Sequence, residues 1–267
     1  MKRKSQILSS ILLASSLLTL VSCGSSSSGG GSTIAAPTSN GGSTDSPVVS
    51  PTPEQQVESD QGIYRVVLSP LNTSVAGNTT GTIEIKIDGD DVTVQSNVSN
   101  APEGAKHLQH VMLTHTCPTA AQDANQDSII DFNEMVSASG SVLLPLDSDL
   151  SAQLDGADFG PISNASGAYV YKRSASYTDL MTDLQSPDPD PIDPYAKLPM
   201  GNRLSLESRV IVVHGVSSSA NLPETVGTVD GISAEDSLPI ACGQLVRVEN
   251  ESISAETNLT NTDDSLL

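Results

Sequence analysis

The chain has 267 residues, a formal net charge of −20, no Trp and only 3% aromatic residues. That length allows one or two domains. The acidic balance makes nucleic acid and anionic lipid surfaces poor partners and cations good ones, and the core must be built from Val, Ile and Leu.

Met1-Lys-Arg-Lys4 is a basic start, and Ile7 to Val21 is an apolar run broken by Ser and Thr. Leu20-Val21-Ser22-Cys23 closes it. This reads as a secretory signal, too short to span a membrane as a mature helix. It resembles a bacterial lipoprotein signal, whose L-x-x-C box is cleaved before the cysteine. The resemblance implies a signal peptide over residues 1–22 and a lipidated Cys23 as the first mature residue; the alternative is an ordinary signal with an incidental cysteine. Several acyl chains, at ~0.8 kcal/mol per buried CH₂, make a firm membrane anchor. Gly24, where Asp would favour the inner membrane, implies outer-membrane sorting in a Gram-negative cell. The expected location is therefore the cell envelope, on the periplasmic or the surface face. Cleavage would remove Lys2, Arg3 and Lys4, leaving 9 basic against 32 acidic residues, a net charge of −23.

Residues 23–60 are Ser, Gly, Thr and Pro, with tracts such as Ser25–Ser28 and Gly29–Gly31. Such a segment cannot bury enough apolar surface to fold and is expected to be a disordered tether. The folded domain is expected over 61–249. Ile63–Leu68 reads as a strand. Thr82-Ile-Glu-Ile-Lys-Ile87 and Val92–Val98 alternate across an Asp88-Gly-Asp-Asp91 turn, a hairpin signature. Asn100–Gly104 is a second turn leading into His107–Leu113. Val142–Leu146 is a short apolar run, Ala168–Tyr171 a strand and Tyr177–Leu184 a short helix. Ser186–Pro194 is a Pro/Asp loop that excludes regular structure. Arg209–His214 reads as a buried strand and Ile240–Val248 as the last one. Residues 250–267 form an acidic, polar tail, expected to be disordered. Many short strands with turn punctuation imply an all-β sandwich or barrel with little helix.

With Cys23 lipidated, Cys117 and Cys242 remain. An exported pair in an oxidising compartment reads as a disulfide, with two free buried thiols as the alternative.

Asp123-Ala-Asn-Gln-Asp-Ser-Ile-Ile-Asp-Phe-Asn-Glu134 fits the twelve-residue EF-hand calcium loop. Asp123, Asn125 and Asp127 stand at positions 1, 3 and 5. Ile129 offers a backbone carbonyl at position 7, Asp131 stands at position 9, and Glu134 is the bidentate position 12. A hard cation wants six to eight oxygens, and alternate residues of a tight loop can turn theirs inward. Position 6 wants Gly and is Ser128 here. A non-Gly residue in that left-handed turn costs roughly 1–2 kcal/mol, or about five- to thirty-fold in affinity. Pro118 before the loop and Ser137–Gly140 after it argue against two full flanking helices. A single calcium loop at 123–134, inserted in a β domain, is expected; an ion-free acidic surface loop is the bland alternative.

His107, His110 and His115 lie close in sequence, and His214 ends a distant strand. Four imidazoles in an acidic exported domain suggest a copper or zinc site. The order of motifs is more informative: the early hairpin, Glu103-Gly104 with His107-Leu-Gln-His110, then Cys117, Val212-Val213-His214, and Ile240-Ala-Cys-Gly243. In this order the chain resembles copper–zinc superoxide dismutase. The resemblance implies a Greek-key β-sandwich and a Cys117–Cys242 disulfide. It also matches His110 to the first copper ligand and His214 to the last, with His107 matching a histidine that is not a ligand. The departures are as informative. Met112 stands where the next copper histidine belongs. No histidine lies between His115 and His214 to bridge two metals or bind zinc. Pro239 stands where a substrate-guiding Arg belongs. His110, His214, Met112 and His115 are therefore the candidates for a reduced copper site, thioether favouring Cu(I). Packing or hydrogen bonding of the same histidines at the sandwich edge is the alternative.

Three functional readings follow. The first is a membrane-anchored exported lipoprotein with a superoxide dismutase-like, non-catalytic, calcium-binding domain. The second is a reduced copper-dependent superoxide dismutase at the cell surface. The third is a calcium-ordered adhesion or interaction module.

Overall fold

A central hairpin sets the frame. Thr80–Asp88 (β2) and Asp91–Ser99 (β3) pair antiparallel around a two-residue loop, with Asp88 opposite Asp91. Gly89 takes the first loop position at φ 61°, a left-handed conformation that glycine adopts without a Cβ penalty. The period-2 pattern places Ile83, Ile85, Ile87, Val92, Val94 and Val98 on the buried face. The structure, a computed structural model, describes residues 59–151, 153, 160–187, 195–229 and 231–248. The expected signal peptide, Cys23, nearly all of the tether and the acidic tail lie outside the described residues, as does the Pro/Asp stretch beyond Pro187.

Gly62–Pro70 (β1) pairs with β2 and contributes Tyr64, Val66 and Leu68 to the core. Tyr169–Ser176 (β6) pairs with the other edge of the hairpin, at β3. The second half of the sandwich comprises Gln109–Met112 (β4), Val142–Pro145 (β5), Val210–His214 (β7) and Pro239–Gln244 (β8). The path runs β5-β4-β7-β8-β1-β2-β3-β6, and every pairing between these strands is antiparallel. Ser69 and Pro70 at the end of β1 pair with Cys242 and Ala241 of β8, joining the halves at a corner. The chain crosses between halves from β3 to β4, from β5 to β6 and from β6 to β7, so β6 lands beside β3 and β7 between β4 and β8. This is the all-β, Greek-key sandwich expected from the sequence.

Among the described residues, four short α-helices decorate it: Thr73–Ala76 (α1), Phe132–Ser139 (α2), Tyr177–Leu184 (α3) and Ala234–Ser237 (α4). α3 has the bounds expected from the sequence. The helix after the calcium motif runs further than expected. Asp131 caps α2 by accepting from Glu134 N–H, Glu134 reciprocates on Asp131 N–H, and Gly140 ends the helix. Ser137 does not break it, because its hydroxyl donates to the Glu134 carbonyl one turn back.

Ile240–Val248 also differs from expectation, dividing into β8 and Val246–Val248 (β9). β8 pairs with β7, whereas β9 pairs with Ile63–Arg65 of β1. Leu245 sits fully buried at the corner, its N–H bonded to the Arg209 carbonyl. Asp60, expected as the last tether residue, belongs to the fold. Its carboxylate is buried and accepts from Leu204 N–H, Ser205 N–H and the Tyr177 hydroxyl.

Candidate metal centre

β7 is buried on both faces, which is why its sequence fails to alternate. Ile211 and Val213 belong to the main core. Val210 and Val212 face the other way, with Met112, Val142 and Cys242, against Ile130, Phe132 and Met135 from the segment after β4. That segment is thus a cover laid over the outer face of one sheet. The Cys117–Cys242 disulfide fastens it to β8.

Within the cover, Asp123–Glu134 folds as a closed loop. Ser128 takes φ 68°, the left-handed turn that position 6 demands. Asp123 accepts from the N–H groups of Asp127 and Ser128, and Asn125 accepts from Asp127 N–H. Asp127 accepts from Ile129 N–H. Glu134 reaches back across the loop, its Oε1 accepting from Ala124 N–H at 2.8 Å and Asn125 N–H at 3.3 Å. The entry is a single 3-10 turn, Ala120–Gln122, capped by Thr119, consistent with Pro118 just before it. The segment between β7 and α4 also arrives here: the Thr225 hydroxyl donates to Asp127 Oδ2, and Gly227 N–H to Asp131 Oδ2. The backbone path and the all-oxygen donor set fit a hard cation. The side chains are turned onto loop amides, and among the described residues no group of three or more His, Cys, Asp or Glu converges on one metal position.

The two histidines that the resemblance singles out meet beneath this cover. His110 on β4 and His214 at the end of β7 are both buried, with His110 Nδ1 3.2 Å from His214 Nε2. Nδ1 of His214 lies 2.8 Å from the Ser237 carbonyl. A carbonyl only accepts, so His214 Nδ1 carries the proton, and its Nε2 accepts from His110 Nδ1–H. Burial pushes the His214 pKa down to about 4. Burial, reinforced by His214, also drives that of His110 well below the ordinary value. Both rings are neutral at pH 7, the state a metal ligand needs. Phe132, the first residue of α2, lies edge-on to His110 at 6.5 Å and 5.6 Å from His214. His107 is buried one step away, its Nδ1 3.0 Å from the His214 carbonyl and its ring stacked on Tyr169. Gly215 permits this approach: at φ 107° a Cβ there would stand 2.0 Å from the Lys106 carbonyl.

The remaining candidates divide. Met112 is buried on the same side of β4 as His110, packed in the cluster with Phe132 and Val212. His115 is exposed beyond β4 and does not join the pair. Pro239 lies opposite His214 in the β7–β8 ladder, so that position supplies no cation. The sequence reading missed Asn72, Phe132, Thr225 and Ser237. All four act through contacts that no spacing in the sequence reveals.

No protein-family model matches this chain, and no curated protein matches it. Among solved structures it is similar to a double mutant of a SOD-like protein from Bacillus subtilis, at 17% sequence identity and a TM-score of 0.36. That likeness covers 67% of this chain and 95% of the other. The architecture described above rests on the strand pairings themselves.

Proposed function

We propose that this chain is an exported, lipid-anchored protein whose superoxide dismutase-like sandwich binds calcium and does not catalyse superoxide dismutation. The observation that carries the calcium reading is the Asp123–Glu134 loop, with Ser128 in the left-handed region and Glu134 folded back across the loop entrance. Asp123, Asn125, Asp127, Asp131, Glu134 and the Ile129 carbonyl would hold the ion, which supplies charge neutralisation and fixes the loop. Glu134, Asp127 and Asp131 would exchange amide hydrogen bonds for the cation. Calcium is then a staple for the cover, working beside the disulfide. The acidic composition supports cation binding and disfavours a superoxide anion or nucleic acid as partner. The membrane is the partner through Cys23, and the cell envelope, at the outer membrane, is the location.

The test is thermal unfolding of the purified protein in calcium and in chelator. Calcium should raise Tm by several degrees, and Glu134→Gln should remove most of that increment. Identical Tm values in both conditions would reject the reading.

One observation favours a second reading, a reduced copper-dependent superoxide dismutase. Nitrogens of His110 and His214 at 3.2 Å could each reach one ion at a metal–nitrogen distance of about 2.0 Å. Met112 would be the candidate soft ligand. This reading requires one copper per chain, lost in both His110→Ala and His214→Ala, and superoxide consumption above that of copper-loaded buffer. Metal analysis by mass spectrometry and a superoxide assay decide it.

A further inference from the structure

We propose that Asn72 is a positioning residue for the calcium loop, its side-chain amide orienting the peptide group whose carbonyl, that of Ile129, is the loop's backbone ligand. The inference rests on the calcium reading above and gives it a residue outside the twelve-residue motif. Asn72 lies more than fifty positions away in sequence, just past β1. Its Oδ1 accepts from Ile130 N–H at 2.9 Å. Its Nδ2 donates to the Ile130 carbonyl at 2.8 Å and to the Pro239 carbonyl at 2.9 Å. One side-chain amide therefore satisfies both backbone groups of Ile130, as a neighbouring strand would.

The chemical consequence lies in the peptide bond. Ile130 N–H and the Ile129 carbonyl are the two ends of one planar unit. Holding the N–H end on Asn72 Oδ1 fixes where the carbonyl oxygen points. A hydrogen bond at that end also polarises the amide, placing more negative charge on the oxygen. Groups that orient metal ligands in this way typically change affinity ten- to a hundred-fold.

The residue type is specified by the contacts. The site needs an acceptor for one N–H and a donor for two carbonyls, which an amide supplies and a carboxylate does not. Asn72 also sits at φ 46°, ψ 43°, in the left-handed region that Asn tolerates better than most residues. The base is rigid: Leu71 N–H bonds to the Ile240 carbonyl on β8. The loop is thus registered against the sandwich at the residue facing His214, since Pro239 is opposite His214 in the ladder.

The experiment is calcium titration by isothermal calorimetry on the whole protein and on Asn72→Gly, which keeps the positive φ and removes the amide. Calcium should bind Asn72→Gly about tenfold more weakly. Unchanged affinity in Asn72→Gly, with a wild type that binds calcium, would overturn this inference alone; a wild type that binds no calcium would overturn both. A second measurement needs no variant. In the labelled wild type, the Asn72 side-chain NH₂ resonances and the Ile129 carbonyl resonance should move together, with one calcium midpoint. An Ile129 carbonyl that shifts while Asn72 stays still would count against the proposal.

Discussion

Asp60 is a single carboxylate on which two remote segments converge. Leu204 N–H at 2.7 Å, Ser205 N–H at 2.8 Å and the Tyr177 hydroxyl at 2.6 Å all donate to it. Hydrogen bonds to a charged acceptor contribute about 1.5–3 kcal/mol each, and an orphaned buried donor is costly. Asp60→Ala should therefore lower unfolding stability by at least about 3 kcal/mol in denaturant titrations, with Asp60→Asn milder. Asp147 shows the opposite situation. It is buried, one oxygen accepts from Asp149 N–H, and the other has no partner. Burial raises its pKa from 3.8 to about 6, against the lowering effect of the Asp149 amide. The folded state thus binds more protons than the unfolded chain between pH 4 and 6, so stability falls as pH rises through that window and then levels. Asp147→Asn should flatten this segment of the pH–stability curve and stabilise the protein at pH 7.5. A curve unchanged by the substitution would show that this carboxyl is solvated. Neither residue was singled out in the sequence. An Asp at the end of a Ser/Gly/Pro stretch and an Asp after an apolar run look like solvated surface until their neighbours are known.

At the level of elements, legibility followed periodicity. β2 and β3 alternate, carry a Gly-containing turn and matched expectation closely. α3 matched because Ser176, Tyr177, Leu180 and Leu184 present a cap and a buried stripe. β8 and β9 read as one strand because the apolar run continues through the corner at Leu245, and a bend between two sheets leaves no local mark. The Asp123–Glu134 loop was legible as a tight turn because its Asp and Asn residues alternate, and it closes with Ser128 at positive φ. Its clamp was not, because Asn72 is remote in sequence. The His110–His214 pairing was legible only through motif order. Among the described residues, the cover that contains the Asp123–Glu134 loop and lies over the His110–His214 pair has one covalent fastening, between Cys117 and Cys242, 125 residues apart. Closing so long a loop contributes about 5 kcal/mol in the chain-entropy model. Replacing both cysteines by Ala should lower Tm sharply and accelerate proteolysis within the segment between β4 and α2. A double variant with wild-type stability would mean the reduced, unfolded chain is already constrained there.

Across the whole molecule, the described domain has one sandwich core and a second, smaller apolar cluster beneath the cover. The two strands that the resemblance assigns to copper, β4 and β7, are adjacent in that sandwich, and their histidines meet on its covered side. A sheet face roofed by a loop is how a domain with few aromatics buries enough Val, Ile and Leu. The acidic excess then falls on the surface, where it favours solubility and cation recruitment over anionic partners.

β1 has a mechanical consequence. A pull on the amino-terminal side of the domain enters at Asp60 and passes directly into a strand flanked by β2 along one edge and by β8 and β9 along the other. Tension along such a strand loads two rows of hydrogen bonds together instead of peeling them one at a time, and Asp60 adds three more bonds at the point of entry. Resistance to a force applied there would be set by the rate of rupturing that doubly held strand.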